Sequence, residues 1–193
     1  MTVRFDKEKC VDLEAFQTPR WAIEAVLDVE IVTNDLVDPC VGMGAIVGVL
    51  DQRFDDNADI MAYDIMNWCA AYPCSFVQRD FLHIDPGTLT AWDDVTVIMN
   101  PPFSLACQFV DKCLALGARK VICFQRQAWR ESESRRAWWE ENRPARVWVC
   151  GARATCWRFD LLECQYGDDP EDSINFRKKA KDRDGGCMHC TGN

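Results

Sequence analysis

Apolar and polar positions along the chain switch repeatedly between a period of two and a period near 3.6, which predicts strands alternating with helices. Pro19 stands at a helix start, and Trp21, Ala22, Ala25, Val26 and Val29 follow at helical spacing, predicting a first helix over about 19–29. Leu36-Val37 is a strand running into Asp38-Pro39-Cys40-Val41-Gly42-Met43-Gly44, and the apolar stretch from Ala45 to Leu50 is the helix that those glycines open. Ile60 to Tyr63, ending on Asp64, and Phe76-Val77, leading to Asp80-Phe81, are the next strands. Val95 to Met99 is β-branched, uncharged and stopped at Asn100-Pro101-Pro102. Leu105 to Leu116 is a helix closed by Gly117, Lys120 to Phe124 a buried strand, Glu131 to Asn142 a polar helix, and Arg146 to Val149 a sixth strand. Strands joined through helices call for right-handed crossovers. The expected fold is therefore α/β with three layers: a mostly parallel, Rossmann-like sheet with helices on both faces.

After Asp160 the periodicity decays into turn chemistry and a charge run, so 1–160 is expected to be one domain. Residues 161–193 are a polar extension or the incomplete end of the same domain. The length of 193 residues, with 48% hydrophobic and 27% charged, excludes a disordered, collagenous or coiled-coil chain. No apolar run approaches the ~18 residues of a membrane span, and Met1 to Cys10 has no apolar leader, so a soluble, unsecreted protein is expected. Cys107, Cys113, Cys123 and Cys150, four of the 12 cysteines, sit in apolar runs as small hydrophobes, pointing to a reducing cytoplasm.

The formal net charge of −9 argues at first against a polyanionic partner, but it is unevenly spread. Residues 1–116 carry seven basic and 19 acidic side chains, whereas 117–160 carry ten basic and five acidic, nine of the ten being arginine. Arg126, Arg130, Arg135 and Arg136, interleaved with Trp129, Trp138 and Trp139, suit phosphate pairing and base stacking; Glu131, Glu133, Glu140 and Glu141 offer a second reading, a neutralised helix face.

Two motifs carry candidate chemistry. Asp38 followed by Gly42 and Gly44 at a helix mouth is a cofactor loop, since glycines permit tight turning and close approach of a ligand to a helix N-terminus. Asp64, 20 residues beyond Gly44, ends the next strand, where an acid can accept from both hydroxyls of a ribose. Position 47 is Val, so this is not the dinucleotide fingerprint. In Asn100-Pro101-Pro102-Phe103, two prolines end the ladder stiffly and leave an amide oxygen and the Pro101 carbonyl as acceptors beside an aromatic ring. That set suits an exocyclic amino group on a planar ring.

Taken in order, Phe16-Gln17-Thr18-Pro19, Asp38 to Gly44, Asp64, Asp80-Phe81 and Asn100 to Phe103 resemble the motifs of class I S-adenosylmethionine-dependent amino-methyltransferases, most closely small phage-type adenine-specific DNA methyltransferases. The resemblance spans about residues 14–155 and implies methyl transfer from S-adenosylmethionine to the exocyclic amine of a DNA adenine. It implies that Phe16 and Thr18 pack on the methionine part of the cofactor, that the loop of Asp38, Pro39, Gly42 and Gly44 cradles its amino-acid end, and that Asp64 holds its ribose. Asp80 and Phe81 would border its adenine, and Asn100, Pro101, Pro102 and Phe103 would hold the target base, with no nucleophilic cysteine, Cys40 included. A duplex target would have to be flipped out.

The resemblance also implies DNA as a partner through the Arg126, Arg130, Arg135 and Arg136 region, no membrane, and a cytoplasmic location, the host's for a phage-encoded chain. The chain departs from the family in having no room for a target-recognition domain, and its closing strand is either Thr155 to Tyr166 or missing by truncation. The same chemistry on RNA adenine or protein glutamine, or a non-catalytic cofactor-binding accessory or anti-restriction protein, are the alternatives. Cys187, His189 and Cys190 look like half a zinc site that Cys156 or Cys164 could complete; one ligand pair without a second leaves no metal expected.

Overall fold

Leu36 and Val37 point to opposite sides of their strand, and each joins a different buried cluster, which places helices on both sides of the sheet. In a computed structural model the described residues are 14, 16–85, 87 and 92–150. Over them the chain runs α1 (Arg20–Leu27), β1 (Asp35–Asp38), α2 (Ala45–Phe54), β2 (Asp59–Asp64), β3 (Ser75–Gln78), β4 (Val95–Met99), α3 (Ala106–Leu116), β5 (Lys120–Cys123) and α4 (Arg136–Glu141), with short 3₁₀ turns between. The strands form one sheet of order β3-β2-β1-β4-β5, every pair parallel.

Ile23 and Leu27 of α1 and Ile46, Val47 and Leu50 of α2 pack with Leu36, Ile60, Ala62 and Ile98 on one face. On the other, Phe109, Cys113 and Leu116 of α3 pack with Val37, Tyr63, Val97 and Met99. β4, between β1 and β5, is buried at all five positions, as a strand covered on both faces must be.

The strand order reverses at β1, which pairs with β2 on one side and β4 on the other, and in such sheets ligands bind beyond the carboxyl ends of the strands at that switch point. In register, Asp38 pairs with Ala62 and Val37 with Val97, so the residues following β1, β2 and β4 emerge along one edge.

Several expectations are corrected. Arg146 to Val149 forms no strand; a buried carboxylate, Glu30 at 9% exposure, draws Arg146 and Trp148 to itself through side-chain hydrogen bonds. Lys120–Cys123 is half-buried at all four positions, since among the described residues it is the sheet's edge and β4 alone flanks it. The polar helix expected over 131–142 is a 3₁₀ turn, Glu133–Arg135, and the six-residue α4, since a segment with no apolar stripe has nothing to hold a longer helix to the core. The first helix stops at Leu27, leaving Val29 44% exposed, and α2 runs on to Phe54. Residues 151–193 lie outside the described residues, and with them the expected Thr155 to Tyr166 strand, the boundary at 160, and Cys187, His189 and Cys190. Among the described residues no helix is long and apolar enough to cross a membrane, and no His, Cys, Asp or Glu cluster suits a metal.

Candidate active site

Beyond the carboxyl ends of β1, β2 and β4 lies an open cleft with about 890 Å³ of empty space, the solvent in its mouth included. Phe16 and Thr18 form one wall, Asp38, Pro39 and Gly42 the floor, and Asp64 and Asp80 the far side. Asn100 and Pro102 complete it. Thus nine of the sequence-selected residues converge on one space, although up to 86 positions separate them.

The glycine turn is held from three directions. Val41 N donates to Tyr63 O at 2.9 Å, Gly42 N to Asp64 Oδ2 at 2.9 Å, and Tyr72 Oη to Gly42 O at 2.7 Å. Gly42 and Gly44 have φ of +52° and +88°, in the left-handed region where glycine is favoured. Gly44 does not line the cleft. It opens α2, and a Cβ there would stand 3.3 Å from Tyr72 Cδ1.

Asp64 Oδ1 also accepts from Met66 N at 2.9 Å and Trp68 Nε1 at 3.0 Å. With Gly42, Met66 and Trp68 all donating to it, the carboxylate is first a brace for the cleft wall. Burial pushes its pKa upward against those hydrogen bonds. Asp38, 1% exposed, accepts from Cys40 N at 3.1 Å through Oδ1, while Oδ2 is buried with no hydrogen-bond partner. Burial, reinforced by the Asp64 charge, raises its pKa to about 8. Thr18 Oγ1 is likewise buried and unpaired. The Cys40 thiol is driven far above its usual range by burial and by Asp38 and Asp64, which keeps it a thiol and unfit as a nucleophile.

Asn100 follows β4, and its Nδ2 donates to Phe16 O at 2.9 Å. That bond fixes the amide so that Oδ1, which has no hydrogen-bond partner among the described residues, is the acceptor presented at the cleft. Pro101 is buried behind it, and its carbonyl accepts from Gln125 Nε2 at 3.2 Å, leaving one lone pair. Phe103 is not part of the cleft wall: its ring lies beside Phe16, centroids 5.6 Å apart, under the Arg126 guanidinium. Glu14 Oε2 accepts from Ser104 N at 3.0 Å and from Ser104 Oγ at 2.6 Å, and those bonds lower its pKa.

Asp80 lines the cleft but also caps the turn Phe81–His83, accepting from Leu82 N at 3.0 Å and lying 2.8 Å from His83 Nδ1. Phe81 does not reach the cleft; at 1% exposure it stacks on Phe109 and meets Tyr63 and Trp92 edge-on, and Leu82 takes the place at the wall. Trp68 and Tyr72 were not singled out in the sequence, although the cluster Trp68, Cys69, Met43, Met66 and Tyr72 seals the glycine turn. Their one signal is two large aromatics in a ten-residue loop without periodicity.

In the basic segment Arg126, Arg130 and Arg136 are exposed. Arg136 pairs with Glu140 at 3.2 Å, Arg135 Nε donates to Trp129 O at 2.9 Å, and Arg130 lies over Trp139 at 5.5 Å. The tryptophans are not an open stacking surface: Trp129, Trp138 and Trp139 pack on one another with centroids 4.7–5.5 Å apart, and Trp138 Nε1 bonds Asp111 on α3 at 2.8 Å. Large half-buried rings without a core of their own bury one another.

These features define a doubly wound, all-parallel α/β protein with a ligand cleft at the switch point of its sheet. No protein-family model matches the chain, and no curated protein does. Among solved structures it is similar to the plantazolicin methyltransferase BpumL in complex with a pentazolic desmethylPZN analogue and SAH, at 10% identity and a TM-score of 0.45 over 90% of this chain and 80% of that one. A likeness at that level carries no argument about what this chain binds or does.

Proposed function

We propose that the protein is an S-adenosylmethionine-dependent methyltransferase acting on the exocyclic amino group of adenine in DNA. The observation that carries the reading is the Asn100 Nδ2 to Phe16 O bond, which leaves Asn100 Oδ1 as an oriented acceptor at the edge of the cleft.

The cleft suits the cofactor chemically. Asp38 Oδ2 and Thr18 Oγ1 belong to wall residues and lack partners, and an amino-acid ammonium and carboxylate supply a donor and an acceptor. Gly42 exposes backbone at the floor, and Asp64 lines the wall against which a ribose would lie. When bound, S-adenosylmethionine supplies a methyl group already activated on a sulfonium. The chain's own contribution is positioning and polarisation. Asn100 Oδ1 accepts one amine N–H and the free lone pair of the Pro101 carbonyl the other, drawing the nitrogen's pair out of ring conjugation. Neither group is a base, so the proton leaves to water once the new N–C bond has made it acidic. The Cys40 thiol takes no part.

DNA is favoured as substrate by the arginines beyond β5, of which Arg126 and Arg130 make no ion pair among the described residues. The test is transfer of labelled methyl from S-adenosylmethionine to DNA, RNA and protein acceptors. Labelling of DNA adenine supports the reading, labelling of RNA or protein alone replaces the substrate, and no labelling of any acceptor overturns the enzyme.

A further inference from the structure

Phe16 and Phe103 stack on one another with planes inclined by only 17°, and Phe16 O holds the Asn100 amide, so the Phe103 ring is an aromatic surface close to Asn100. A single guanidinium rests on that ring: Arg126 Cζ stands 3.9 Å from the Phe103 centroid and 5.8 Å from that of Phe16. Arg126 is exposed and has no carboxylate within 4.0 Å among the described residues. Glu14 is close enough to feel its charge, but the Glu14 carboxylate is engaged by Ser104. The backbone at Arg126, φ −68° and ψ 143°, is an ordinary extended link between β5 and the turn Gln127–Trp129. Only the side chain needs to move to uncover the Phe103 face, and 3.9 Å is the separation at which one flat group rests on another.

We propose that Arg126 is the substrate-recognition residue of this site: the planar ring bearing the amine enters between the Phe103 ring and the Arg126 guanidinium, which closes over it as the second face of a slot. The proposal rests on the methyl-transfer reading and deepens it to a substrate class. A slot with an aromatic floor and a cationic roof takes an uncharged, electron-rich heteroaromatic amine. A cationic ring is repelled by the roof, and an aliphatic amide, with no extended π-face, gains little from either side.

The experiment is fluorescence titration of the full chain, with S-adenosylhomocysteine present, using a single-stranded oligonucleotide that carries one 2-aminopurine and a matched abasic oligonucleotide. Wild-type protein is expected to quench the 2-aminopurine on binding. Arg126→Ala is expected to weaken that binding roughly 3- to 30-fold with the abasic oligonucleotide little affected, and Arg126→Lys, which keeps the charge without the plane, to fall between. Equal loss for both oligonucleotides would put Arg126 on a phosphate, and unchanged or tighter binding by Arg126→Ala would make it a bystander or a plug; either overturns the slot, as does a wild type that binds without quenching. Because no methyl is transferred, the two readings separate: Arg126-dependent quenching without any methylation leaves the slot and removes the enzyme, and methylation by Arg126→Ala with an unchanged KM does the reverse.

Discussion

Asp64 Oδ2 accepts a hydrogen bond from Gly42 N at 2.9 Å, so the carboxylate that ends β2 holds the glycine turn that follows β1. The same carboxylate anchors Met66 N and Trp68 Nε1 through Oδ1, coupling the floor of the cleft to the loop that seals it. An asparagine at 64 has one oxygen and must turn its NH2 toward one of those donors. Asp64→Asn is therefore expected to cost about 1–3 kcal/mol in stability and to weaken S-adenosylhomocysteine binding about tenfold, read by urea unfolding and calorimetric titration. Unchanged affinity would show that the turn holds its shape without this brace.

The two glycines should separate by readout. At Gly44 an alanine meets both a φ of +88° and Tyr72 Cδ1 at 3.3 Å, so Gly44→Ala is expected to destabilise by about 1–3 kcal/mol. At Gly42 the added methyl meets no atom within 4 Å and carries only the strain of φ +52°. Gly42→Ala should melt closer to wild type yet lose cofactor affinity, because its methyl stands on the cleft floor.

Asp38 gives the ligand-free protein a pH signature. With its pKa raised to about 8 from 3.8, the folded state keeps a proton that the unfolded chain releases near pH 4. Stability should fall as pH rises from about 4 to 8 and level off above. Asp64, shifted in the same direction, adds to the slope. Asp38→Asn, which still offers an oxygen to Cys40 N, should flatten that decline in melts across the window. An undiminished slope would move its origin elsewhere.

Glu30 acts with the opposite sign. Its side chain, 7% exposed, is bonded by Arg146, Trp148 and Lys120, and Arg146 leads the causes that bring its pKa down to about 2 from 4.5. This contribution is present above about pH 4.5 and lost as pH falls toward 2. Glu30→Gln leaves Arg146 and Lys120 beside a neutral amide and is expected to cost about 3 kcal/mol at pH 7, with the gap to wild type closing in acid. A constant gap across that range would mean that the carboxylate's charge is not what matters.

Much of the fold was legible because its signals are local. Val95 to Met99 could only be a buried strand, and Pro101-Pro102 could only end it. Gly117 closes α3 at φ +88° as a C-terminal glycine should. The chain order of Asp38, Asp64 and Asn100 was enough to bring them to one sheet edge, because parallel strands joined by right-handed crossovers leave their carboxyl ends together. What was missed depends on partners distant in sequence. Glu30 and Arg146 are 116 positions apart, and nothing near Arg146 to Val149 says that a carboxylate outcompetes a ladder there. Phe81 follows a cleft acid in sequence, but the turn that Asp80 caps rotates its ring into the core and brings Leu82 forward. Trp129, Trp138 and Trp139 read as an open stacking face only until their mutual packing is known.

The central claim is that Asn100 Oδ1, oriented by the Phe16 carbonyl, polarises an adenine amine for methyl transfer. It is tested most directly by incubating duplex and single-stranded DNA with S-adenosylmethionine and the wild-type or Asn100→Ala protein, digesting to nucleosides and quantifying N6-methyladenine by mass spectrometry. The account predicts N6-methyladenine from wild type and a loss of about 10²–10³ in rate from Asn100→Ala, with S-adenosylhomocysteine affinity within a few-fold of wild type. Equal methylation by the two proteins, or none by wild type on either DNA, would contradict it.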